Sequence, residues 1–170
     1  DLTLVISDDS LLQQLNQQLL VIGHARRSDL LIGVALDGLS DVKMALNEYQ
    51  EGLNLVEQAL PYLKNSGKIF DYGEALMHQG VFLYMLGNIS AASPVLQDAL
   101  DLLLESSDPQ AKLALPSAHY HLGAALSLGG QPKRALQHAK DCVSSAVAAR
   151  KPYAQMMGYS LQSFCEFILG

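Results

Sequence analysis

Apolar residues along this chain return every three or four positions and are interrupted by short polar or glycine-containing turns, the pattern of successive amphipathic helices. Leu11, Leu15, Leu19 and Ile22 make the first stripe, with glutamines between them, and Gly23 is expected to end that helix. Ser28 is expected to cap a second helix over 29–46, facing Leu30, Val34, Leu36, Leu39 and Leu46 inward. Turn groups at Asn47, Asn65-Ser66-Gly67, Gly87-Asn88 and Gly129-Gly130-Gln131-Pro132 divide the rest of the chain. They predict helices over about 48–64 and 71–86, from an Asn88 cap to about 105, and over 109–128, 132–149 and 152–169. Asp108-Pro109 is a strong start signal, a capping side chain before a proline at the first helical position. Pro94 is expected in or near a first turn, Pro61 should bend its helix, and Pro116 either kinks its helix or marks a later start. Residues 1–9 contain LTLVI, readable as a strand or as a helix end, and stay unassigned.

Three segments superimpose: LSDVKMALNEYQEGLNLVEQAL (39–60), QGVFLYMLGNISAASPVLQDAL (79–100) and LGAALSLGGQPKRALQHAKDCV (122–143), offset by 40 and then 43 residues. QSFCEFILG (162–170) comes after a further 40 and stops where its turn should be. A period of this length, with a helix on each side of a Gly or Asn turn, marks a helical solenoid. The short turns force antiparallel neighbours. The expected fold is therefore all-α, a right-handed α-solenoid of about seven to eight helices arranged as antiparallel pairs. Its repeats would be 29–68, 69–108, 109–150 and a half-repeat 151–170, in a single helical domain expected to be a piece of a longer protein.

Small residues recur in register: Ser40, Gly80, Gly123 and Ser163 in the first helices, and Gly52/Val56/Ala59, Ala92/Leu96/Ala99 and Ala135/Ala139/Cys142 in the second. Such side chains permit close helix crossing. In this pattern the chain resembles the tetratricopeptide repeat family from about residue 29 to 170. It departs from that family in repeat length and in carrying Leu36, Leu76, His119 and Tyr159 where a large aromatic is usual. Long repeats of this kind are similar to the arrays within MalT-like and LuxR-type bacterial regulators. The resemblance implies a non-catalytic module that binds a protein or peptide, or senses a signal, inside a larger cytosolic signalling or transcription regulator.

Composition narrows the partner classes. The chain is 49% apolar and 16% charged, with mean hydropathy +0.15, net charge −6 and no tryptophan. Its 11 basic residues are scattered singly or as pairs, without the basic stripe a nucleic-acid binder needs. No apolar run reaches the length of a membrane span. The two cysteines, Cys142 and Cys165, fall in apolar helical stretches and suit reduced core thiols in a reducing compartment.

Candidate chemistry is sparse. His119 and His121, two apart on a helix, point in different directions and cannot share a metal. His138 and Cys142 are one turn apart, but Cys142 holds a core position and no second ligand pair is evident, so no metal or cofactor is expected. Gly129-Gly130 lacks the surroundings of a phosphate-binding loop. Asp37 and Asp41 read as a solvated or partner-facing acidic strip, and no catalytic residue is assigned. The repeat register instead points to a groove lined by Asp37, Asp41, Met44, Glu74, Met77, Tyr84, Tyr120 and Met157, acidic at its N-terminal part and Met/Tyr/Phe-lined further on, where Phe164 and Phe167 lie. A protein or peptide is the expected partner. The alternatives are a self-associating scaffold, favoured by the apolar content, and a small-molecule sensor using Tyr84, Tyr120, Glu74 and His121.

Overall fold

The computed structural model describes residues 2–170, with side chains from Ser10 onward. Its elements are α1 (Leu2–Arg26), α2 (Asp29–Ala45), α3 (Tyr49–Ser66), α4 (Ile69–Met85), α5 (Ile89–Glu105), α6 (Pro109–Leu128), α7 (Pro132–Ala148) and α8 (Pro152–Leu169). No strand occurs among the described residues. The side chains of the LTLVI segment lie outside them. None of the described helices is long and apolar enough to cross a membrane.

The turns share one chemistry. Asn47, Gly87 and Gly130 adopt positive φ of 60°, 84° and 73°. The amides next in the chain bond back five residues, Glu48 to Lys43, Asn88 to Leu83 and Gln131 to Leu126, at 2.8–2.9 Å. This is the Schellman closure, which satisfies carbonyls the helix leaves open. Arg27 and Arg150, at φ 50° and 55°, close α1 and α7 the same way. Helix starts are capped at Ser28, whose Oγ accepts the Leu31 N–H at 3.4 Å, and at Asp108, whose carboxylate accepts the Gln110 N–H at 2.8 Å.

Three local expectations need correction. Gly23 does not end α1; it is buried, and a Cβ there would stand 2.9 Å from the Ile32 amide nitrogen, so it serves close approach of α2. Asn88 precedes α5 without a capping bond, because its Oδ1 accepts the Ser90 hydroxyl instead. Pro94 lies six residues into α5, beyond the first turn, on an exposed position. Between the two readings of Pro116, a later start is excluded: the residue is fully buried inside an α6 that begins at Pro109.

Each helix packs on its sequence neighbours, as short antiparallel connections require. Beyond that, α2 touches α4, α4 touches α6 and α6 touches α8, whereas among the described residues α3, α5 and α7 do not touch one another. The even-numbered helices thus form a close inner rank and the odd-numbered ones a spread outer rank. The packing is that of a helical-repeat, solenoid-like stack. Small residues set the spacing: Ala59, Ala92, Ala99, Ala135, Ala139 and Cys142 are wholly buried on the second helices. At Gly52 the Phe82 ring occupies the space a side chain would take, and at Gly80 Leu96 does so. Ser163, the fourth small residue of the first helices, is exposed on α8. One core runs from Ile32 through Val56 and Leu63 to Phe82, and the next from Met77 through Leu103 and Leu126 to Cys165, with Leu83 packed against both.

Candidate functional site

The inner rank brings polar side chains together at one repeat position. Gly38, His78, His121 and Leu161 are equivalent in register, and the two histidines are the centres of the site. His78, on α4, faces α2: its Nδ1 lies 3.0 Å from Asp37 Oδ1 and 3.5 Å from Asp41 Oδ1. Both ring and Asp37 side chain are largely shielded, at 17% and 14% exposure. Burial works against the imidazolium, yet the charge and hydrogen bond of Asp37, with Asp41 and Glu74 behind them, outweigh it and push the His78 pKa up to about 9. At neutral pH His78 is charged. Burial raises the carboxyls of Asp41 and Glu74 above their ordinary range, partly offset by the His78 cation.

His121, on α6, sits in the opposite state. Its Nδ1 is hydrogen-bonded to the Tyr84 hydroxyl of α4 at 2.9 Å, and the Tyr120 ring meets it edge-on at a centroid distance of 5.2 Å. Burial, reinforced by the His78 charge, depresses its pKa to about 4. Burial likewise pushes Tyr84 up to about 12. The floor therefore runs from a carboxylate-rich end around one cation to a neutral Tyr-His-Tyr cluster. Beside it lies a hollow of about 230 Å³. Phe70, Glu74 and Met77 wall it from α4, Leu113, Ala114 and Ser117 from α6, and Lys151 stands at its edge.

Of the eight groove residues expected from sequence, Asp37, Asp41, Glu74, Tyr84 and Tyr120 belong to this inner-face constellation. The other three differ. Met77 is only 6% exposed, because α6 presents Ala111 and Ala114 and closes over it; it forms hollow floor and core rather than groove wall. Met44 is half-buried against the Ile32–Phe82 core, and Met157 is half-buried on α8. Phe164 and Phe167 are exposed, at 53% and 84%. Within the acidic strip Asp41 is exposed, whereas Asp37 is shielded and engaged by His78, a residue that helical spacing alone does not mark. Asp37 and His78 are 41 residues apart and Tyr84 and His121 are 37 apart. Complementary groups about one repeat apart are the signal that could have found them.

A second cluster also lies beyond the reach of single-helix patterns. His119 and His121 do diverge, but His119 turns to α7, where its Nδ1 is 3.3 Å from that of His138. Asp141 joins them, with ligand atoms of all three within 4.8 Å of one another. The companion of His138 is therefore His119 and not Cys142, whose thiol donates to the Ala154 carbonyl at 3.5 Å. His119 and His138 stand ten residues before and nine after Gly129, so antiparallel pairing about that turn sets them side by side. Burial holds both imidazoles below their ordinary pKa.

No family model matches the sequence, and no curated protein matches it significantly. Fold and inner face together define an α-helical repeat protein.

Proposed function

We propose that this chain is a tetratricopeptide-like scaffold whose inner face binds a segment of a partner protein, with no reaction chemistry of its own, as a module of a larger regulator. The observation that carries this reading is the floor shared by α2, α4 and α6. Three carboxylates, Asp37, Asp41 and Glu74, surround the His78 imidazolium, so a negative charge remains for a cationic side chain of the partner. In the hollow beside Glu74, Phe70, Met77 and Leu113 offer apolar contact for a neighbouring anchor, interleaved with the polar Gln110, Ser117 and Lys151. The matching ligand is an extended or helical peptide with a lysine or arginine next to a bulky apolar residue. Tyr84 and Tyr120 fit the same role as rigid contact groups.

Peptide selection on the folded chain tests this. Enriched peptides should carry a basic residue beside an apolar one, and binding should weaken with salt. Asp41→Asn and Glu74→Gln should each weaken it about fivefold or more, in line with losing about 1 kcal/mol or more at a contact. A selection without enrichment, or binding indifferent to both substitutions, overturns the reading.

Self-association is favoured by a separate observation, the exposed Tyr153, Met156, Phe164 and Phe167 along α8. Light scattering over a concentration series checks it: a constant monomer mass excludes it.

A further inference from the structure

We infer that His119, His138 and Asp141 form a site for one divalent transition-metal ion of the zinc type, clamped between α6 and α7 with a coordination position left over. The distances argue for it. Two imidazole nitrogens bound to one tetrahedral ion at about 2.0–2.1 Å stand about 3.3 Å apart. Nδ1 of His119 and Nδ1 of His138 stand at 3.3 Å. A weak hydrogen bond between the rings fits that separation as well, and the carboxylate of Asp141 beside the pair is what turns the group toward an ion.

Asp141 is three residues on from His138, on the same face of α7, and a carboxylate oxygen comes within 4.8 Å of a ring nitrogen of each histidine. Its Oδ1 accepts a hydrogen bond from Gln137 Nε2 at 3.1 Å, a contact that an ion can share through the second oxygen. Two imidazoles and one carboxylate suit zinc, nickel or copper(II) over magnesium or calcium, which want oxygen throughout. The neighbouring thiol is directed elsewhere, since Cys142 Sγ is committed to the Ala154 carbonyl. All three ligands are half-buried, which leaves the fourth position open to water or to a side chain brought by a partner. The bound ion ties the two helices of one repeat together. This site is independent of the peptide-binding face.

The test uses the whole chain, stripped with chelator and then titrated with zinc alone and with cobalt(II) as a spectroscopic reporter. One equivalent should bind, with the visible absorption of four-coordinate cobalt and no thiolate charge-transfer band, and zinc should raise the melting temperature. His138→Ala and His119→Leu should each weaken binding at least tenfold. Leucine at 119 is what the first two repeats carry at that position, so this variant keeps the fold even if the alanine variant does not. His24→Ala, on α1, should bind as the wild type does. Absence of binding to the folded wild type, binding that survives His119→Leu, or a cobalt spectrum with a thiolate band overturns the site.

Discussion

Asp37 and His78 form an ion pair across the α2–α4 contact, Oδ1 to Nδ1 at 3.0 Å, between residues one repeat apart. His121 stands one repeat further on at the position of His78, and its ring is neutral. What differs is the preceding helix: α2 offers His78 two carboxylates, and α4 offers His121 a tyrosine hydroxyl and a nearby cation.

The His78 pair ties stability to alkaline pH. A folded pKa of about 9 against an ordinary 6.5 means that the contribution is complete below pH 6.5 and lost as pH rises through 9. Urea unfolding over that window should show a decline of about 1–3 kcal/mol from this group. In His78→Asn the decline should largely vanish; an equal slope in the variant contradicts the assignment.

His121 has the reverse sign. Its folded pKa of about 4 lies below the ordinary 6.5, so its contribution is complete above pH 6.5 and is lost progressively as pH falls to 4. The ring resonances of His121 should titrate near pH 4 in the folded protein. His121→Gln should flatten the acid limb of stability, while its alkaline limb stays as in the wild type.

Gly52 and Phe82 are coupled sterically. A methyl at 52 would fall 2.3 Å from the ring of Phe82, which has no exposed surface. Gly52→Ala should destabilise by about 1–3 kcal/mol from overpacking, despite the better helix propensity of alanine. Phe82→Ala should cost about 3–5 kcal/mol. Combining Gly52→Ala with Phe82→Leu should cost less than the sum of the single changes, as a thermal or chemical double-mutant cycle would show.

The thiols should be inert in the folded state. Cys142 and Cys165 are wholly buried, and burial pushes the Cys142 thiol up to about 11. Alkylation monitored by mass should proceed only at the rate of unfolding, for both residues. Fast labelling of either without denaturant contradicts this packing.

Helix order and nearly every boundary are legible in the sequence, because amphipathic spacing and turn residues report local geometry. Gly23 misleads for a physical reason: a glycine serves both to end a helix and to let another helix approach, and only packing distinguishes the two. Within the site, repeat register places Asp37, Glu74 and Tyr84 on the inner face. It does not tell which residues will be covered, so Met77 reads as groove lining although small side chains on α6 bury it. His78 and His138 are harder still. Their meaning depends on what another helix presents, and no single-helix spacing carries that information.

Among the described residues, no helix reaches one more than two places away along the chain, as the inner-rank contacts show. The backbone therefore closes only short loops, and little entropy must be surrendered before any contact forms. Such a chain has low contact order and is expected to fold fast, from whichever pair nucleates first, with no region that must wait for a distant end.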